Sequence, residues 1–152
     1  LARADFVTLH TPLTAETHHL LNAERLAQMK PGAILVSAAR GPLVDPAALA
    51  AALKNGQLRG AGLDVFEEEP IRPDSPLLAL DSQLVTFMPH SAAMTDRAMQ
   101  RMAEMVCEGI LAVLDGDQPS NVVNPHVCGG EARRKLSRTS DKSGFTGAPN
   151  GL

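Results

Sequence analysis

Three side chains that could act together on a small acid lie far apart in the 152-residue sequence. They are the guanidinium of Arg40, the carboxylate of Glu69 and the imidazole of His90. A guanidinium can hold a carboxylate through two parallel hydrogen bonds. A histidine that is hydrogen-bonded to a carboxylate can donate and accept a proton. The three groups could therefore bind a carboxylic acid and transfer a proton beside it.

Each of the three groups follows a short apolar run that we predict to be a buried β-strand. The strands are predicted at residues 33–37, 59–65 and 84–87, with a further strand before them at 5–10. The run 33–37 has no polar alternation, which is typical of a strand covered on both faces of a parallel sheet. Because residues just past the carboxyl ends of parallel strands face one crevice, we expect the three groups to meet there.

Helical patterns separate these strands. Asn22 is predicted to cap a helix over 23–29, and Asp45-Pro46 to open one that ends at Lys54. One helical turn is predicted at 76–80. A long amphipathic helix is predicted from Thr95 or Asp96 to about residue 114, because its apolar residues recur at intervals of three and four. This order of elements favours a doubly wound α/β fold.

Each candidate residue also has a non-catalytic explanation. Arg40 could be an arginine of a surface turn, Glu69 could belong to a solvated acidic loop, and His90 could be structural. The spacing favours function, since 29 residues separate Arg40 from Glu69 and 21 separate Glu69 from His90, each interval leading to the next strand end. Asp64 adds a carboxylate within an apolar run, which is costly unless it has a partner or a ligand.

Three other histidines receive no catalytic role. His10 is predicted to be structural, whereas His18 and His19 lie in a polar turn. The two cysteines, Cys107 and Cys128, form neither a CxxC motif nor a Cys/His metal spacing. We therefore predict neither a disulfide framework nor a metal site.

Composition restricts the location and the partners. The net charge of −3 does not favour a nucleic-acid partner, and no apolar run reaches the ~20 residues of a membrane span. The N-terminus lacks the layout of a signal peptide and begins with leucine. We expect a cytoplasmic protein whose start is missing from this sequence.

The last 27 residues differ from the rest. Residues 126–152 contain five basic and two acidic residues, against nine and fifteen in residues 1–125, and their apolar periodicity is lost. We predict that 126–152 form a disordered or unrelated tail.

Four ordered motifs resemble the D-isomer-specific 2-hydroxyacid dehydrogenases, the family of D-3-phosphoglycerate dehydrogenase and glyoxylate/hydroxypyruvate reductase. They are LHTPLT at 9–14, ARG at 39–41 with LVD at 43–45, AGLDVF at 61–66 with EP at 69–70, and PH at 89–90 with Thr95. NVVNP at 121–125 also resembles the family. The resemblance covers residues 1–125 and implies part of a Rossmann domain for NAD or NADP, with 95–115 as its return helix.

The resemblance also implies roles for individual residues. Arg40 would hold the carboxylate and 2-oxo group of the substrate. His90 would protonate the 2-oxo oxygen while the cofactor delivers a hydride, and Glu69 would hydrogen-bond and orient His90. The implied cofactor contacts come from Arg40 and His90 themselves and from Thr11, Pro12, Ala38, Ala39, Asp64 (at the nicotinamide), Ser91, Ala92 and Ala93.

Two departures qualify the resemblance. The family usually has asparagine at the position of Ser37, and Ile-Gly-Gly or a similar triplet at 91–93. No G-x-G-x-x-G occurs, so the phosphate-binding turn and the first half of the dinucleotide fold would precede Leu1. The choice between NAD and NADP would depend on residues in that half.

The implied function is hydride transfer between NAD(P)(H) and a small D-2-hydroxy or 2-oxo acid such as phosphoglycerate, hydroxypyruvate or glyoxylate. The full-length protein would be a homodimer, and the isolated piece would be inactive. The alternative is a catalytically silent, dinucleotide-sensing protein of the corepressor type, since the C-terminal-binding proteins resemble the same family.

Overall fold

The computed structural model describes residues 1–128, which fall into two compact units that divide between Met94 and Thr95. The first unit contains four parallel strands that are hydrogen-bonded in sequence order. They are β1 (Phe6–Leu9), β2 (Ala33–Ser37), β3 (Leu58–Leu63) and β4 (Val85–Phe87). The predicted α/β class with a parallel sheet is confirmed.

Two helices connect the first three strands, and both begin at side-chain caps. Helix α1 (Ala23–Ala27) is capped by Asn22, whose side chain accepts from the backbone N–H of Arg25. Helix α2 (Pro46–Lys54) is capped by Asp45, whose carboxylate accepts from two backbone N–H groups of the first turn. These caps satisfy amides that have no partner within the helix, which is why the predicted starts are correct.

Two predicted helical segments are shorter or absent. Helix α1 ends at Ala27, and Gln28 is already its C-cap. The segment 76–80 forms turns, because the N–H groups of Leu78 and Leu80 bond to carbonyls three residues back and no bond to the fourth residue back continues them.

The core lies on one face of the sheet. Leu35 of β2 is fully buried and belongs to the same hydrophobic cluster as Leu26 of α1 and Leu49 of α2. On the opposite face, Val36 is 39% exposed and Phe6 is 66% exposed. The prediction that β2 is covered on both faces is therefore wrong for residues 1–128, because both described helices of this unit pack on the Leu35 side.

Gly41 lies at the closest approach between two loops that follow neighbouring strands. It begins a 3-10 helix at Gly41–Leu43, and a Cβ built on it would overlap the backbone carbonyl of Phe66. Backbone atoms cannot rotate away as a flexible side chain can. Glycine at 41 therefore allows the loop after β2 to contact the loop after β3.

We predict that Gly41→Ala destabilises the chain by about 1–3 kcal/mol or more, the usual cost of inserting an atom into a packed site. The measurement is the free energy of unfolding from urea titration. Gly62→Ala is the control, because a Cβ at Gly62 meets no described atom within 4 Å. Equal effects at the two glycines would contradict the loop contact.

The second unit begins with helix α3 (Asp96–Leu114), which confirms the long helix predicted from Thr95 or Asp96 to about residue 114. Thr95 is its N-cap, and the Thr95 hydroxyl accepts from the N–H of Ala98. A 3-10 helix at Pro125–Cys128 follows, so the first residues of the predicted tail are helical. The rest of the tail, 129–152, lies outside the described residues. No helix among the described residues is long and apolar enough to cross a membrane.

Candidate functional site

The sheet register places three strand ends side by side. Ser37 of β2 is paired with Leu63 of β3, and Leu63 is paired with Phe87 of β4. Because the strands are parallel, the segments that follow them leave the same edge of the sheet. Arg40, Glu69 and His90 lie three, six and three residues beyond these paired positions. We call this the carboxyl edge.

Glu69 and His90 form a hydrogen-bonded pair at this edge. The Nδ1 atom of His90 lies 2.6 Å from Oε2 of Glu69, and the backbone N–H of Phe66 donates to Oε1 at 3.0 Å. The hydrogen bond with His90, followed by that from Phe66, lowers the pKa of Glu69 below its ordinary value of 4.5. Glu69 is therefore a carboxylate at neutral pH, and with Nδ1 engaged the ring can present Nε2 to a bound molecule.

The backbone at His90 has a left-handed conformation, with φ of 53°. This conformation costs about 1–3 kcal/mol for a residue with a side chain, so surrounding contacts must hold it. The contacts come from Asp64, which is 5% exposed. Its two carboxylate oxygens accept from the backbone N–H groups of Ser91 and Ala92, both at 2.8 Å.

These two bonds also set the protonation state of Asp64. Burial by itself raises the pKa of the carboxyl group, but the N–H groups of Ala92 and Ser91 outweigh burial and lower the pKa below its ordinary value of 3.8. The sequence had indicated that this carboxylate needs a partner, but not that the partner is the loop after His90. Its contact with a nicotinamide stays a prediction.

We predict that Asp64→Asn lowers both the melting temperature and kcat. One amide N–H₂ would then face a backbone N–H, and the loop that fixes His90 would lose an acceptor. Because the pKa of Asp64 is lowered on folding, the wild-type carboxylate stabilises the fold above pH 3.8 and loses that contribution as pH falls through the folded pKa. The difference in melting temperature between the wild type and the variant should therefore shrink from pH 7 to pH 3.

Asp115→Asn is the control for this comparison, since Asp115 is exposed beyond the end of α3. A variant at Asp64 that matched the control in both melting temperature and kcat would show that the two bonds are dispensable.

Arg40 follows β2 as an exposed residue. Its Nη1 donates to the carbonyl of Ala39 at 2.6 Å, and it forms no ion pair with any residue in 1–128. The contact between Gly41 and Phe66 brings the segment of Arg40 against the segment that leads to Glu69. A guanidinium that no described carboxylate pairs with therefore lies on the loop next to that of Glu69.

The remaining predicted cofactor residues also follow strands at the carboxyl edge. Thr11 and Pro12 follow β1, Ala38 and Ala39 follow β2, and residues 91–93 follow β4. All have small or compact side chains, and apart from partly buried Thr11, Ala39 and Ser91 they are exposed. The carboxyl edge is therefore bordered by exposed or partly buried residues with small or compact side chains.

Ser37, where the family usually has asparagine, places a hydroxyl group in the buried side of the sheet. Ser37 is 1% exposed, and its Oγ has no hydrogen-bond partner among the described residues. Ser37 lies on the same face of β2 as Leu35, within the core side of the sheet. The carbonyl of Ser37 accepts from the N–H of Asp64 at 2.9 Å, so its backbone still ties β2 to the site.

The sequence analysis missed the contacts that hold the loop around Glu69. The N–H of Phe66 and the side chain of His19 both bind this loop, the latter through Glu67 at 3.0 Å. Positions 19 and 67 are 48 residues apart, and no local pattern signals such a pair.

Comparisons with known proteins show the family and the fold of the chain. Residues 1–92 match the family model described as D-isomer specific 2-hydroxyacid dehydrogenase, NAD binding domain. Over 127 residues the chain is 51% identical to a glyoxylate reductase of Korarchaeum cryptofilum and 48% identical to a glyoxylate/hydroxypyruvate reductase B of Shigella boydii. Each alignment covers 84% of this chain but only 38% and 39% of the respective relative.

A solved structure from a dehydrogenase has a similar fold. The crystal structure of D-lactate dehydrogenase with NAD⁺ from Lactobacillus jensenii superposes with a TM-score of 0.72 at 34% sequence identity. The match covers 81% of this chain and 40% of that protein. The chain thus spans about two fifths of the length of these three proteins.

Proposed function

Because the chain belongs to the D-isomer-specific 2-hydroxyacid dehydrogenase family, we propose that the complete protein transfers a hydride between NAD(P)(H) and a small 2-oxo acid. Glyoxylate and hydroxypyruvate are the proposed substrates. Reduction of hydroxypyruvate would give the D-2-hydroxy acid glycerate, and reduction of glyoxylate would give glycolate, which has no stereocentre. One observation carries the proposal: the hydrogen-bonded Glu69–His90 pair lies at the same sheet edge as the guanidinium of Arg40, which has no ion-pair partner among residues 1–128.

Arg40 binds the substrate in this proposal. Its planar guanidinium holds the carboxylate, and one N–H lies toward the 2-oxo group. No described acid competes for this cation. The substrate carboxylate therefore neutralises a charge that no described acid neutralises. Its binding to Arg40 fixes the C2 carbon beside His90.

His90 supplies the proton. Its Nδ1 is held by Glu69, so Nε2 donates to the 2-oxo oxygen as C2 becomes tetrahedral. The carboxylate of Glu69 stabilises the imidazolium before that transfer. In the oxidative direction the neutral ring accepts the hydroxyl proton. Glu69 is thus a positioning residue, while Arg40 and His90 are catalytic residues.

The cofactor, when bound, supplies or accepts the hydride at C2. The residues proposed to line it are the small and compact ones that follow β1, β2 and β4, together with Asp64. They fit the nicotinamide end of a dinucleotide, since the segment 38–39, which is exposed at Ala38 and partly buried at Ala39, and the Asp64-anchored backbone of 91–92 lie at one edge. We assign neither NAD nor NADP.

We also propose that residues 1–125 belong to one NAD(P)-binding domain, with α3 as its return helix. The family match over 1–92 supports the first part of this assignment. A homodimer, a cytoplasmic location and the absence of a nucleic-acid partner complete the proposal, and they rest on the resemblance and the charge alone.

The test is a substrate panel with the complete protein. Glyoxylate and hydroxypyruvate should be reduced with NADH or NADPH, whereas glycolaldehyde, which lacks the carboxylate that Arg40 would bind, should be reduced at least about 100-fold more slowly in kcat/KM, as expected for loss of a charged contact. Equal rates for the acid and the aldehyde would contradict the proposed role of the site.

A further inference from the structure

A second group of polar side chains lies beside the carboxyl edge. His18, His19 and Glu67 each present one ligand atom, and the three atoms lie within 4.8 Å of one another. The Nε2 atom of His19 is 3.0 Å from Oε1 of Glu67, and the rings of His18 and His19 are stacked with centroids 4.1 Å apart. We call these three residues the histidine cluster.

The backbone fixes both histidines. The N–H of His18 donates to the carbonyl of Thr14 at 3.0 Å, and the N–H of His19 donates to the carbonyl of Pro42 at 2.7 Å. His19 has a left-handed φ of 48°, which places two consecutive imidazoles on the same side of the turn. Consecutive side chains of an extended segment point to opposite sides instead. The turn therefore holds the two rings together before any ligand is present.

The hydrogen bond between His19 and Glu67 accounts for only part of this arrangement. The ring of His18 has no hydrogen-bond partner within residues 1–128, although it is stacked on a ring that has one. All three side chains are at least partly exposed, so an ion can reach them from solvent.

The donor set points to a particular ligand class. Two imidazoles and one carboxylate form a common protein set for Zn²⁺, which leaves its fourth position to water. Two atoms that are each about 2 Å from a tetrahedral ion are separated by about 3.3 Å. The 3.0 Å between His19 and Glu67 is close to this separation, and rotation of the exposed His18 ring can bring its nitrogen equally near.

We propose that the histidine cluster is a binding site for a divalent transition-metal ion, with Zn²⁺ as its best-matched occupant. No metal site is predicted from the sequence, since neither cysteine lies in a CxxC or Cys/His metal spacing. The histidine cluster instead joins residues that are 48 and 49 positions apart. Bound metal would cross-link the turn at 18–19 to the loop 66–69, which provides Glu69. The site does not depend on the proposed hydride transfer.

The test is isothermal titration of the complete, tag-free protein with Zn²⁺. We expect saturable binding of one ion that is absent or weakened at least about tenfold in His18→Gln, because loss of a residue that merely orients a ligand already costs about 10–100-fold. His18→Gln should fold normally, since the exposed ring has no described hydrogen bond to lose. Zn²⁺ should also raise the melting temperature of the wild type more than that of the variant.

Two further measurements separate this site from other sites. Glu67→Gln should weaken Zn²⁺ binding to a similar extent, while His126→Gln, which removes an exposed histidine from the second unit, should not change it. A hundredfold excess of Mg²⁺ should not displace Zn²⁺, because Mg²⁺ prefers oxygen ligands. Unchanged affinity in His18→Gln and Glu67→Gln, or displacement by Mg²⁺, would overturn the proposal.

Discussion

Replacing His90 with asparagine is expected to lower kcat for 2-oxo acid reduction by about 10²- to 10⁴-fold, the usual contribution of a general acid. Asparagine tolerates the left-handed backbone of position 90, so the loop and its bonds to Asp64 should persist. It keeps a hydrogen-bond donor but has no proton to transfer. The cofactor dissociation constant should change by less than about threefold, since only the acid is removed.

The measurement combines steady-state kinetics with a fluorescence titration of bound NADH in the complete protein. His126→Asn is the control for a general effect of histidine loss, because that residue is exposed in the second unit. If His90→Asn kept wild-type kcat, a different group would have to protonate the substrate.

Replacing Arg40 with lysine is expected to lower kcat/KM for glyoxylate by about 10²-fold, because a bidentate, charged contact becomes a single one. The positive charge is preserved, so the loss isolates the geometry of the guanidinium. Arg40→Met, which removes the charge as well, should lose more. Both variants should act mainly on KM if the carboxylate is held equally in the ground state and the transition state.

Arg59→Lys is the matched control. Arg59 is also exposed but lies near the amino end of β3, at the opposite edge of the sheet from Arg40. Its kcat/KM should remain within about twofold of the wild type, as for a surface change remote from the site. If Arg40→Lys kept the wild-type kcat/KM, bidentate binding of the substrate carboxylate by Arg40 would be excluded.

Much of the fold could be predicted because its signals are local. The dipeptide Asp45-Pro46 is sufficient to predict the start of α2, and the capping residue Thr95 is sufficient to predict the start of α3. Apolar runs of strand length located β1 to β4. Once these elements are known, parallel connections place all the strand ends at one edge, so the meeting of segments 40, 69 and 90 could be anticipated from spacing.

The details of the site could not be anticipated, because they depend on contacts between distant backbone groups. Asp64 binds the N–H groups of a loop 27 residues away, and Gly41 contacts the carbonyl of Phe66. Asp64 lies within an apolar segment, and a buried carboxylate is costly unless it is hydrogen-bonded. The sequence therefore indicates that Asp64 has a partner, but it does not indicate which group the partner is. The open face of the sheet was also missed, because an apolar strand has the same sequence whether or not its second face is covered within the chain.

We propose that the carboxyl edge carries hydride transfer to C2 of a 2-oxo acid. The most direct measurement follows deuterium from NADH deuterated at C4, in each of its two configurations, into the product formed by the complete protein from hydroxypyruvate. We expect one of the two C4-deuterated forms of NADH to yield D-glycerate with deuterium at C2, and His90→Asn to slow its formation. Glycerate without deuterium at C2 from either cofactor, or the L-isomer, would contradict it.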